Sequence, residues 1–82
     1  IPRPATGTFV ANEAALRQLR ISAREREVLA LLAKGATNKG IARTLEISPN
    51  TVKTHVASLY AKLEASNRTQ AVAQARALSI LP

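Results

Sequence analysis

Apolar residues recur along this chain at helical rather than strand spacing, and the pattern is sharpest after Ile21. Ser22 and Glu25 stand three apart, the spacing of a reciprocal capping box, and Val28, Leu29, Leu31 and Leu32 follow as a broad apolar stripe. Gly35 sits where a helix ending at Lys34 would turn left-handed. Thr37 offers the next cap, with Ile41, Ala42 and Leu45 recurring at helical spacing behind it. Ser48 followed by Pro49 is the strongest boundary in the chain. Proline at the first helical position has no amide to lose, and the serine oxygen takes one of the unpaired donors. Val52, Val56, Leu59, Tyr60 and Leu63 then form one apolar face, with Asn50, Lys53, Thr54, Ala57 and Ser58 grouped on the other side. Asn67 and Gln70 open a last helix that carries Ala71, Val72, Ala75 and Leu78 toward Ile80. Ahead of all this, Asn12 caps a short, thinly apolar helix from residue 13 to about residue 20. Residues 1–11, with Pro2, Pro4 and Gly7, read as a flexible linker. The expected fold is all-α: a compact four-helix domain over residues 19–82 with a helix-turn-helix at about residues 38–57, preceded over residues 1–18 by the linker and its short helix.

Composition narrows the function. The chain has 82 residues, enough for one small domain. It has no Cys, no Asp and a single histidine, His55, which removes disulfide scaffolds, thiolate metal sites, His/Asp triads and Asp-rich cation loops. Catalytic, metal and cofactor sites are therefore expected to be absent. The longest unbroken apolar run, residues 28–33, falls far short of the roughly 20 residues of a membrane span, and no signal-peptide pattern opens the chain. A cytoplasmic protein without a membrane partner is expected. The first residue is Ile1 rather than Met, which suggests a fragment of a longer protein with its regulatory domain missing. Twelve Lys plus Arg against five Glu give a net charge of +7, which points to a polyanionic partner, nucleic acid first.

The two helices separated by Glu46, Ile47 and Ser48 bring small Ala42 opposite apolar Val52 and make a helix-turn-helix. The second helix would be the reader. Asn50, Lys53, Thr54 and Ala57 in its first turns can hydrogen-bond base edges or pack on a thymine methyl, and residues 47–63 contain no acid to repel phosphate. Thr51 is assigned to the helix start and a phosphate. His55 is either an imidazole packed between helices or a phosphate contact, and Ser58 closes the exposed face. Thr37, Asn38 and Lys39 stand at a helix N-terminus, where free amides and the macrodipole favour an anion; the choice there is between a phosphate clamp and plain capping by Thr37. The alternative for the whole chain is a basic helical module that docks on an acidic protein partner.

Several words occur in order: Arg24-Glu25-Arg26-Glu27-Val28-Leu29, Leu32-Ala33-Lys34-Gly35, Thr37-Asn38-Lys39-Gly40-Ile41-Ala42, Leu45-Glu46-Ile47-Ser48, Thr51-Val52-Lys53-Thr54-His55, Lys62-Leu63 and Asn67-Arg68-Thr69-Gln70-Ala71-Val72. Together they closely resemble the LuxR-type helix-turn-helix domain, found at the C-termini of quorum-sensing, NarL/FixJ and MalT-like regulators. The resemblance covers residues 19–81. It implies a DNA-binding transcription regulator that acts as a homodimer on double-stranded DNA, with RNA polymerase as a further partner. It also implies dimer contacts on the last helix, where Ala73, Gln74 and Ala77 lie off the core face. The chain departs from the family pattern at Gly40, where Glu is frequent, at Glu64, where Gly is preferred, and at Ala57, where some members carry Lys.

Overall fold

The computed structural model of the chain describes residues 11–82, so the linker reading of residues 1–10 lies outside the described residues. Among the described residues five helices follow one another: α1 (Glu13–Gln18), α2 (Ala23–Ala33), α3 (Asn38–Leu45), α4 (Pro49–Lys62) and α5 (Arg68–Ala77). No strand occurs among the described residues. Each helix starts at a side chain that accepts the amide three residues on: Asn12, Ser22, Thr37, Ser48 and Asn67. Ser22 completes a full capping box, its Oγ accepting from Glu25 N–H at 3.1 Å while Glu25 Oε1 accepts from Ser22 N–H at 2.9 Å. At α5 the reciprocal arm is displaced by one residue. Gln70 Oε1 there accepts from Ser66 N–H at 2.8 Å.

The helices also stop alike. Residues Arg20, Gly35, Glu46, Glu64 and Ser79 take positive φ, and the next amide reaches back five residues to a carbonyl. These bonds run from Ile21 to Leu16, Ala36 to Leu31, Ile47 to Ala42, Ala65 to Tyr60 and Ile80 to Ala75, at 2.8–3.1 Å. Both residues of every pair are apolar, so each turn folds a hydrophobic residue back over the helix it ends. Only Gly35 pays no steric penalty for the left-handed backbone. Glu64, at φ 54°, ends α4 in the conformation its side chain disfavours.

α4 packs chiefly on α2 and α3, and α5 covers α2 and α4. Val28, Leu29, Ile41, Val52, Leu59, Ala71 and Ala75 are fully buried between them. The core extends further toward the N-terminus than the boundary at Leu19 that sequence suggests. Ala11, Ala15 and Leu16 belong to the same cluster, and Asn12 N–H donates to Ser79 O at 2.8 Å, fastening α1 to the end of α5. Ile80 and Leu81, which follow α5, are buried in the same cluster.

Gly40 occupies the third position of α3, where Thr37 Oγ1 accepts its N–H at 3.0 Å. A Cβ at Gly40 would stand 3.3 Å from that oxygen. The Thr37 hydroxyl must then give by a few tenths of an ångström, and Glu25, which occupies the same position after its own cap with a similar amide bond, shows that a side chain fits there. Gly40→Glu is expected to raise stability by about 0.5–1 kcal/mol, from helix propensity and a second capping bond. Thermal unfolding measures it, and a lower melting temperature would mean that Thr37 cannot give way.

Candidate nucleic-acid interface

The turn between α3 and α4 leaves no slack. Glu46 takes φ 57°, Ile47 N–H closes on Ala42 O at 3.0 Å, and Ser48 is already the cap of α4. Ser48 Oγ accepts from Thr51 N–H at 3.1 Å and lies 2.8 Å from Thr51 Oγ1. Thr51 is thus committed to the helix start while remaining exposed.

Asn50, Lys53, Thr54 and Ala57 are all exposed. At about 100° per residue, Asn50, Thr54 and Ala57 point away from buried Val52 and Leu59. Lys53 does not share that direction, contrary to its grouping from sequence. It stands about 100° from Val52 and about 60° from Val56, on the flank that Tyr60 shares two turns on, and its long stem can reach the exposed face. Thr54 Oγ1 donates to Asn50 O at 3.1 Å, which commits the hydroxyl proton and leaves oxygen lone pairs and a methyl group.

The other flank of α4 carries Ser58 and Lys62 to α2. Ser58 Oγ donates to Glu25 Oε2 at 2.5 Å, and Lys62 Nζ donates to Glu25 Oε1 at 2.6 Å and to Arg20 O at 2.6 Å. The hydroxyl of Ser58 therefore serves the helix packing, not the exposed face to which the sequence pattern assigned it. His55 is half-buried, one turn earlier on the same flank. Glu25 is 5% exposed. Burial pulls its pKa up, but bonds from Lys62, the Ser22 amide and Ser58, with the Lys62 charge, outweigh that and hold it at about 2. A single ionised carboxylate on α2 thereby takes bonds from two side chains of α4.

On α3, Thr37 and Lys39 are exposed and Asn38 is half-buried, and the first turn contains no acid. Arg43 is exposed one turn after Lys39, on the same side of the helix. Sequence reasoning did not single it out, although two cations at i, i+4 without a carboxylate are a legible signal. The Arg68 guanidinium donates to Ala36 O, tying the start of α5 to the residue before the α3 cap. Ion pairs occur at Glu13, Glu25 and Glu27 on α1 and α2, whereas Lys39, Arg43 and Lys53 have none among the described residues. The exposed surface of α3 and α4 keeps its positive charge.

Ala73, Gln74 and Ala77 are exposed on α5 and line an open depression together with Leu63, Glu64 and Gln70. Among the described residues, no three His, Asp or Glu side chains gather where they could hold a metal ion, and no helix is long and apolar enough to cross a membrane.

Residues 19–75 match the family model described as bacterial regulatory proteins, luxR family. The chain is 59% identical over 51 residues to the putative HTH-type transcriptional regulator YhjB of Escherichia coli K12, covering 62% of this chain and 26% of that protein. It is 45% identical over 64 residues to the transcriptional regulatory protein LiaR of Bacillus subtilis 168, covering 78% of this chain and 30% of that one. The chain thus spans about a quarter to a third of the length of these relatives. The crystal structure of response regulator ChrA of a heme-sensing two-component system aligns with a TM-score of 0.72 at 38% identity, over 84% of this chain and 37% of that one.

Proposed function

The chain belongs to the luxR family of bacterial regulatory proteins, and we propose that it is the sequence-reading DNA-binding domain of a longer cytoplasmic transcription regulator. The observation that carries this reading is the start of α4. Asn50, Thr54 and Ala57 face outward there, Lys53 and Thr51 flank them, and neither α3 nor α4 has an acid in its first turn. In this reading the first turns of α4 enter the major groove, and Thr37, Asn38 and Lys39 hold the backbone. His55 is a phosphate contact at the rim. Selecting binding sites from a randomised duplex pool tests sequence choice directly: a consensus supports the reading, and recovery of unenriched sequence overturns it.

Charge gives a second measurement. Phosphate contacts make log K fall with log salt by about 0.9 per phosphate neutralised. Lys39→Ala is expected to weaken specific and random duplexes alike and to reduce the slope by about one. A salt-independent affinity would remove nucleic acid as the partner.

The α5 surface is the proposed contact between two copies of the domain on DNA. Small side chains at Ala73 and Ala77 permit close approach, and two reading helices related by a two-fold axis cover two half-sites. Ala77→Glu, fully on the exposed face, is expected to weaken binding to a palindrome by about tenfold while sparing a single half-site. Gel-shift titration on the two duplexes distinguishes them; equal loss on both would move the dimer surface elsewhere. RNA polymerase and the remainder of the regulator are the further partners this reading implies.

A further inference from the structure

Arg17, Arg20, Arg24 and Arg26 gather on α1, the following turn and the start of α2, outside the surface assigned to DNA. Three of them, Arg17, Arg20 and Arg26, border an open depression of about 420 Å³ that also involves Leu16 and Ile21. Arg24 is paired with Glu27 at 3.2 Å, and Arg26 faces Glu13 across 3.6 Å. Arg17 and Arg20 are exposed and have no ion pair among the described residues. Their backbone is nevertheless fixed. Arg20 N–H donates to Arg17 O at 3.1 Å, Ile21 N–H to Leu16 O at 3.0 Å, and Arg20 O accepts from Lys62 Nζ at 2.6 Å. Two unpaired guanidinium groups are thus presented from a rigid turn, which lowers the ordering cost of binding an anion. The positive end of α2 adds to the same potential.

Lys62, which anchors this turn, is at the opposite end of α4 from Pro49. Along the helix axis it is about 14 Å beyond Lys53. The depression is concave and has half-buried Ile21 in its lining, a feature that a phosphate backbone has no group to use. A peptide supplies both chemistries, since carboxylates match guanidinium in bidentate geometry and an apolar side chain covers Ile21. We propose that the depression between α1 and α2 is a docking surface for an acidic peptide segment of a partner protein, with Arg17 and Arg20 taking its carboxylates. It operates while DNA occupies α3 and α4, so the acidic-partner reading and the DNA reading describe different ends of one molecule.

The test uses a fluorescein-labelled nonapeptide of eight glutamates around one central leucine, with an all-glutamate nonapeptide for comparison. Anisotropy is measured on the chain alone and on the chain saturated with its selected duplex. The leucine peptide is expected to bind both forms with similar affinity, and several-fold more tightly than the all-glutamate one, by roughly the worth of one partly buried apolar group. Arg17→Gln with Arg20→Gly, the glycine suiting the left-handed backbone, should weaken the peptide by about tenfold or more and change duplex affinity by less than about twofold. Arg17→Glu alone provides a second variant with the turn intact, and the thermal unfolding of each variant is measured first. Displacement of the peptide by duplex, a tenfold loss of duplex affinity in the double variant, or no binding at millimolar peptide would each overturn the proposal. A chain that binds peptide but selects no DNA sequence would instead overturn the function proposed for α4 and leave this surface standing.

Discussion

Replacing Glu25 by glutamine is expected to cost about 3 kcal/mol of stability at pH 7, and acid is expected to remove most of that difference. The carboxylate holds a pKa of about 2 against 4.5 for an ordinary glutamate, and at about 1.4 kcal/mol per tenfold change in proton affinity that difference is of this size. Its folded-state pKa lies below its unfolded one, so its contribution is complete above about pH 5 and fades as pH falls from about 4.5 toward 2. The other four glutamates, Glu13, Glu27, Glu46 and Glu64, are exposed and remain in the variant, so comparing the two proteins isolates the buried one. Urea unfolding of both chains at pH 7 and pH 2.5 reads the effect. Equal acid sensitivity would show that the bonds from Lys62, Ser22 and Ser58 do not favour the charged form. Against a typical domain stability of roughly 5–15 kcal/mol the expected loss is large, and it falls on the polar contact between α2 and α4. Lys62→Met is expected to be no milder, because it leaves the carboxylate buried without its counter-charge.

That contact also marks where sequence stops being informative. The helix starts were legible because capping is local: Asn12, Ser22, Thr37, Ser48 and Asn67 each act on an amide three residues away. Of the helix ends only Gly35 was legible, since glycine alone announces a left-handed residue. Arg20, Glu46, Glu64 and Ser79 do the same work without that signal. The apolar pairs five apart, Leu16 with Ile21 or Tyr60 with Ala65, were a usable second cue for the same stops. Bonds between distant residues had no cue at all. Glu25 is 33 residues from Ser58 and 37 from Lys62, and nothing in either segment names the other. The same limit made Ser58 look like an exposed candidate and α1 like part of a linker. Lys53 illustrates a different error: a two-sided division of α4 into apolar and polar faces hides the flanks, which helix geometry separates once angles are assigned.

Lys53→Ala is the substitution that decides how this domain chooses sequence. On the selected site it is expected to cost about 1–3 kcal/mol, and less on random duplex, so that the ratio between the two narrows. The flank position makes this a demanding test. An ammonium on the outward face would have only bases ahead of it, whereas one on the flank can turn either to a guanine edge or to a phosphate at the groove wall. The side chain is exposed and the core does not use it, so the variant should unfold at the temperature of the parent chain. Thr54→Val separates the neighbouring contribution, because it keeps the outward methyl and removes a hydroxyl whose proton is already bonded to Asn50 O. Little loss from Thr54→Val would assign Thr54 to apolar contact with a thymine methyl. If Lys53→Ala weakens selected and random duplexes equally and lowers the salt slope by about one, Lys53 is a backbone contact. Sequence choice then rests with Asn50, Thr54 and Ala57, which the first turns of α4 direct away from Val52 and Leu59.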